Sequence, residues 1–294
     1  YGRRKKRVVT TSVEHPSVAK AFERLAEMGY EVATVHPNEQ GEITEDMLVK
    51  AVDSNTCLIS AMLVNNETGY ILPIDKAFPK IKKLYPDCMT HCDCVQGFMK
   101  IPVKAKKLNA DMISLSGHKI YAPKGIGALY VKKGVHIPPF MLGGGQEKGF
   151  RSGTESVPLI CGFGAAVKKL APNVSENFEK AAQVQSYLIE KCNENGDVFV
   201  NSRKGGSPYV TSIAVNGLKS EVLLHYLEKR EIYVSSGSAC SKGKKSSVLK
   251  EFRYPEQSLD STIRISFSID TTKADIDALM EGIKSAQNDL CKVR

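Results

Sequence analysis

Short apolar runs alternate with amphipathic stretches through the first two thirds of the chain, the pattern of repeated βαβ units around a mainly parallel sheet. Strands are predicted over 8–11 and 31–35, separated by a helix over 16–28 that Pro16 opens near its first turn and Gly29 ends. A helix over 44–52 leads to the apolar run 57–64, the loop 65–69 and a helix over 74–84. A strand over 88–93 follows, then a lysine-rich connection, the run 111–115, and a strand over 126–131 expected to pair with that run as a hairpin.

Beyond the glycine-rich stretch 141–153 the pattern changes to long helices over 159–170 and 175–193, then strands near 198–201 and 212–215. A helix over 220–229 is predicted, with Ser220 as its N-cap and Glu221 in its first turn, followed by a strand over 232–235 and a glycine-serine-lysine loop. A strand over 261–267 and a helix over 273–288 close the chain. This change of pattern predicts a large domain over 1–172 and a smaller C-terminal α+β domain over 173–294.

With 294 residues, of which 42% are hydrophobic and 25% charged, the chain can fill both cores and has the balance of a soluble globular protein. No apolar stretch approaches the roughly 20 residues of a membrane-spanning helix, so no membrane association is expected. Of the net charge of +9, Arg3, Arg4, Lys5, Lys6 and Arg7 supply five, leaving +4 on a body that is only mildly basic. That run, without interleaved aromatics, reads as a solvated lead-in to the first strand. A nucleic-acid binder driven by it predicts steeply salt-dependent binding lost on trimming those residues. The chain opens at Tyr1 and reaches Val8 and Val9 almost at once, as a piece of something longer does.

Eight scattered cysteines do not form the dense, regular framework of a disulfide-stapled chain and suit a reducing, cytoplasmic setting. Cys88, His91, Cys92 and Cys94 mimic a metal-ligand cluster, but Cys-x-Cys is not the usual claw and no second half follows, so no metal site is expected. Cys57 and Cys161 lie among apolar neighbours and read as structural. Cys240 differs: it sits in a glycine-serine stretch before Lys242, Lys244 and Lys245, whose positive field favours the nucleophilic thiolate.

Ligands of open parallel sheets bind beyond the carboxyl ends of the strands, so polar residues that follow apolar runs are the candidates for chemistry. Asp93, the loop Asn65-Asn66-Glu67 and the string Ser116-Gly117-His118-Lys119 occupy such places. The set suits pyridoxal phosphate (PLP), whose pyridine nitrogen needs an acidic partner and whose aldehyde needs a lysine. On spacing alone the bland alternatives stand: a lysine after a strand is ordinarily a surface cation, and an aspartate there ordinarily caps a helix.

The strings themselves go further. S-G-H-K-I-Y-A-P-K-G-I-G over 116–127 resembles the cofactor-lysine segment of cysteine desulfurases. It is joined in order by E-H-P-S-V at 14–18, N-N-E-T-G at 65–69, D-C-V-Q at 93–96, G-G-G-Q-E at 143–147, R-S-G-T-E at 151–155 and S-S-G-S-A-C at 235–240. The resemblance spans nearly the whole chain and implies the PLP-dependent transferase fold type I, α/β, with a mainly parallel sheet flanked by helices in the large domain.

Position by position, the resemblance implies that His15 stacks on the cofactor ring and Asp93 meets its nitrogen. Asn66 and Gln96 approach the phenolic oxygen, Asn66 also bordering the substrate, and Lys119 joins the aldehyde. Ser116 and His118 bind the phosphate, Thr154 reaches the phosphate of a neighbouring subunit, and Arg264 in S-T-I-R-I-S holds the substrate carboxylate. Cys240 takes the sulfur of L-cysteine as a persulfide, releasing L-alanine, for a sulfur-acceptor or scaffold protein of iron-sulfur assembly; a homodimer is implied. Without the resemblance, His15 reads as the flank of a helix start, Thr154 as a cap and Arg264 as a surface strand residue.

Members of the family begin with a further segment, including a D-N-A-A-T-T-like strand and an S-G-A-T-E-like loop that cradles the phosphate. Neither occurs in these 294 residues, which predicts weakened cofactor binding. S-F-S-I-D at 266–270 also departs from the family, lacking a frequent glycine-arginine and with it a second anion contact. Two other readings are a selenocysteine lyase or related PLP lyase, and a non-catalytic homologue that binds acceptor proteins.

Overall fold

Val8 and Val9 are buried between two parallel neighbours, and the first sheet builds outward from them. The computed structural model describes residues 2, 5–102, 104–236 and 246–290. Strands β1 (Arg7–Thr11), β2 (Glu31–Val35), β3 (Thr56–Met62), β4 (Met89–Asp93), β5 (Met112–Ser116) and β6 (Gly127–Val131) form a six-stranded sheet of order β2-β1-β3-β4-β5-β6. Every pair is parallel except the expected hairpin, in which β6 runs antiparallel to β5 with Met112 opposite Val131 and Ser116 opposite Gly127.

The crossover helices follow their local signals. Pro16–Glu27 starts with Pro16 in its first turn, and Gly29 leaves it at φ +82°, a conformation glycine adopts without strain. Ile74–Leu84 turns Ile74, Ala77, Phe78 and Ile81 onto the sheet, the one-face spacing that predicted it. Full burial of the Ile and Phe side chains contributes roughly 1.5–3 kcal/mol each, and these residues share the larger core with Ile59, Ala61 and Leu72.

Strands β7 (Val198–Val200), β8 (Val210–Val215), β9 (Ser235–Ser236) and β10 (Thr262–Ser266) form a second, antiparallel sheet of order β7-β8-β10-β9. A separate cluster that includes Leu188, Leu223, Leu227, Ile263 and Ile283 packs it against the helices Val174–Glu194, Ser220–Glu228 and Lys273–Asp289. Two local expectations shift here. The N-cap of Ser220–Glu228 is Lys219, in extended backbone, not Ser220, which is the first helical residue and donates its otherwise unpartnered N–H to the Asp260 carbonyl at 2.7 Å. The strand expected over 232–235 pairs only at Ser235 and Ser236, since Ile232 and Val234 turn into the second core.

The two sheets meet at the loop 65–69. Ser207 donates its backbone N–H to the Gly69 carbonyl at 2.7 Å, and the Ser202 hydroxyl donates to the Thr68 carbonyl at 2.6 Å. Gly69 has φ +74°, and a Cβ there would lie 2.5 Å from the Val210 carbonyl oxygen. At the far side, β6 and the helix Val157–Leu170 are largely exposed. Cys161 on that helix is exposed and not structural as expected, because the helix buries only Leu170, whereas Cys57 is buried. Among the described residues no helix is long and apolar enough to cross a membrane.

Candidate active site

The strand order reverses at β1: the chain goes to β2 on one side of it and then to β3 on the other. Connections leaving β1 and β3 diverge and open a crevice at their carboxyl ends. His15 follows β1, Asn66 follows β3, Asp93 ends β4 and Ser116 ends β5, so these expected site residues share one rim.

His15 caps the helix Pro16–Glu27, its Nδ1 accepting the Ser17 backbone N–H at 3.2 Å, which puts the proton of the neutral ring on Nε2. The helix-flank reading thus holds for His15. Asn65, fully buried, ties the ends of β1 and β3 together: its Nδ2 donates to the Val13 carbonyl at 3.0 Å, and its Oδ1 accepts the backbone N–H groups of Glu67 and Thr68, each at 3.0 Å. That clasp sets the position of Asn66.

Asp93 is 7% exposed, and its Oδ1 accepts the Val95 N–H at 2.9 Å. Among the described residues no cation pairs with it. Glu14, buried nearby, receives the Thr11 hydroxyl at 2.5 Å and the Met62 N–H at 2.9 Å on Oε1. Burial, opposed by those two hydrogen bonds and reinforced by the Asp93 charge, raises its pKa to about 8. Glu14 is therefore a neutral acid at pH 7, while the two hydrogen bonds to Oε1 keep it oriented.

Lys119 lies in a 3-10 turn, Gly117–Ile120, directly beyond β5. The Gly117 N–H donates to the Ile126 carbonyl at 2.9 Å, and a Cβ on Gly117 would stand 2.7 Å from Ile126 Cγ2, so the turn packs closely on the returning strand. His118 Nδ1 is 2.8 Å from the Ser116 hydroxyl. Burial and the charges of Lys119, Lys124 and Lys100 lower the His118 pKa, which keeps its imidazole neutral at pH 7.

Arg264 comes from β10 of the second sheet, donating from Nη1 to the Asn66 carbonyl at 3.1 Å and from Nη2 to the Ser235 hydroxyl at 3.2 Å. Gln96 accepts the Lys100 ammonium at 3.1 Å, a contact no motif signalled. Thr154 is exposed and lines an open groove of about 610 Å³ along β6 instead of the crevice. Cys240 lies outside the described residues. The described residues on either side of its segment stand beside the crevice: Ser235 contacts Arg264, and the Ser246 hydroxyl donates to Glu67 at 2.5 Å.

Strand alternation separates the cysteine-histidine cluster. His91 is held between the Ser60 and Ser114 hydroxyls at 2.7 and 2.8 Å, while Cys92 and Cys94 are buried with their sulfurs 3.5 Å apart.

Residues 2–279 match the family described as Aminotransferase class-V. The chain belongs to that family. It is 37% identical over 286 residues to a cysteine desulfurase of Nostoc sp., an alignment covering 94% of this chain and 70% of that protein. A solved NifS-like protein superposes with a TM-score of 0.90 at 31% identity, covering 98% of this chain and 76% of the other. A NifS-like protein from Rickettsia africae does so with a TM-score of 0.85, also at 31% identity, over 98% and 77%. The two solved NifS-like proteins thus share the fold over nearly all of this chain, which covers about three quarters of their length.

Proposed function

We propose that this class-V family member is a PLP-dependent cysteine desulfurase that takes sulfur from L-cysteine as a persulfide on Cys240 and releases L-alanine. The observation that carries the reading is Asp93, a buried strand-end carboxylate with no cation beside it among the described residues. Burying such a charge is costly without a positive partner, and a protonated pyridine nitrogen supplies one. Lys119 at the end of the adjacent strand supplies the amine, so the donor set fits the cofactor. When bound, PLP supplies electron withdrawal from the substrate Cα.

The chain's own residues then divide the work. Asp93 holds the ring-nitrogen proton, His15 stacks on the ring, and Asn66 and Gln96 donate toward its phenolic oxygen. Ser116 and His118 bind the phosphate, the neutral imidazole acting through hydrogen bonding and not charge. Arg264 would receive the substrate carboxylate next to Asn66, and Lys119 would move protons at Cα. The Cys240 thiolate attacks the substrate sulfur; the Cβ–S bond breaks, its electron pair stays on carbon and is protonated, and the new S–S bond leaves the persulfide.

A sulfur-acceptor or scaffold protein of iron-sulfur assembly then takes the sulfur, in a cytoplasmic setting. We also propose a homodimer in which Thr154 reaches the neighbouring subunit's phosphate; the exposure of Phe140 at 88% and Leu142 at 87% supports this reading. Two separate hydrophobic clusters support a division into a large domain over 1–172 and a small one over 173–294, with Val248 and Phe252 of the C-terminal part packing into the larger core.

Incubation with PLP should give a visible absorption band that Lys119→Ala abolishes, and added L-cysteine should give alanine with a persulfide mapping to Cys240. Alanine formed equally well by Cys240→Ser in the presence of a thiol acceptor refutes the sulfur-transfer step; label on another lysine after borohydride reduction refutes the cofactor assignment.

A further inference from the structure

A short helix from the C-terminal half of the chain, Ser247–Glu251, fastens the loops at the carboxyl ends of β1, β2 and β3 to one another. At its start Ser246 is the N-cap. Its hydroxyl oxygen accepts the Leu249 N–H at 3.2 Å, and its one hydroxyl hydrogen goes to Glu67 Oε2 at 2.5 Å, in the loop that holds Asn66. At its last residue Glu251 Oε2 accepts the Ser12 hydroxyl at 2.7 Å, just past β1, and His36 Nδ1 at 2.8 Å, just past β2. A carboxylate only accepts, so His36 carries a proton on Nδ1. Between these ends the helix is packed down: Val248 and Phe252 belong to the larger core, and the Phe252 ring lies 5.4 Å from that of Tyr70, one residue beyond the 65–69 loop.

We infer that this helix is a strut for the two rim loops that carry His15 and Asn66, with Ser246 and Glu251 as positioning residues of the crevice. Asn65 already joins those loops through the Val13 carbonyl and the Glu67 and Thr68 N–H groups. The helix joins them a second time, and two ties at different points fix an angle as well as a separation, where one tie leaves a pivot. Burial of Val248, Leu249 and Phe252 holds the helix onto the core but is non-directional. The hydroxyl-to-carboxylate bonds at its two ends are directional and charge-assisted, so they set where it sits. Five residues span only about 7.5 Å at about 1.5 Å per residue, so the helix has no length over which to bend and passes a movement at one end to the other.

The catalytic meaning of the strut rests on the proposed cofactor site; the mechanical coupling does not. Coupling is therefore read first on the full chain without added cofactor, by hydrogen exchange with peptide mapping. Glu251→Ala should speed exchange about tenfold at the Ser12 N–H, which is bonded to the Val35 carbonyl, and also, across the helix, at the Glu67 and Thr68 N–H groups, while the β8–β10 ladder keeps its protection. Glu251→Gln keeps an acceptor oxygen in place and should restore both loops. Ser246→Ala should act along the helix in the other direction, loosening Ser12 as well as the 65–69 loop, and it decides the matter if Glu251→Ala does not fold. Loosening confined to the near loop in either variant overturns the strut. With PLP titrated in, the half-saturation of the absorption band should rise severalfold in Glu251→Ala and return to the unaltered value in Glu251→Gln; loosened loops with an unchanged half-saturation overturn the positioning role. If exchange spreads as expected but the unaltered chain gives no band, the cofactor reading fails and the strut stands.

Discussion

Replacing Glu14 by Gln should remove a pH dependence of stability that the buried carboxyl imposes. In the folded chain its pKa is about 8 against an ordinary 4.5, so between those values the folded state holds a proton that the unfolded state has released. Stability attributable to this group is complete below about pH 4.5 and declines as pH rises to 8. A span of roughly 3.5 pH units at about 1.4 kcal/mol per unit sets a ceiling of about 5 kcal/mol, and relaxation of a buried charge with its neighbours lowers this to roughly 2–4 kcal/mol. Glutamine keeps an oxygen for the Thr11 hydroxyl and the Met62 N–H but has no proton to lose. Its NH2 falls where Oε2 is buried with no hydrogen-bond partner among the described residues, a penalty that does not vary with pH. The diagnostic is therefore the difference in slope: urea unfolding at pH 5, 6, 7 and 8 should show the unaltered protein losing stability relative to Glu14→Gln. Parallel profiles would refute the assignment of Glu14 as a neutral acid.

Asp111→Ala should cost about 3–5 kcal/mol, because Asp111 is 3% exposed and receives the Lys82 ammonium at 2.9 Å and the Thr90 N–H at 3.0 Å; a thermal melt unchanged within error contradicts this. Gly69→Ala combines a left-handed backbone with a Cβ 2.5 Å from a carbonyl oxygen, so it should destabilise by about 2 kcal/mol or more and loosen the seam between the sheets, read as faster hydrogen exchange at Ser207.

The elements with strong local signals were legible in the sequence. The strand over 31–35 and the helix over 74–84 coincide with the observed elements, since alternation and one-face spacing there agree with the tertiary environment. The antiparallel hairpin of β5 and β6 was legible for the same reason. Where packing overrides local preference the reading drifted: Ile232 and Val234 carry a strand pattern but spend it on the second core, and Ser220 has a capping side chain but lies one residue inside the helix, its N–H bound to Asp260. Rim residues followed from their places after strands, and Arg264 from the motif, yet its contact with Asn66 links positions 198 apart and no local pattern encodes it. Lys100 had no motif behind it, and only the turn geometry brings it to Gln96.

The grip of Arg264 on the Asn66 carbonyl has a mechanical consequence. The guanidinium proposed to receive the substrate carboxylate also bolts one sheet to the other, so on that reading occupancy of the crevice and tightness of the seam draw on a shared set of N–H donors. Any anion that engages it must be accommodated without unfastening the loop it rests on, and the stiffness of that joint thereby becomes a gauge of what the crevice holds.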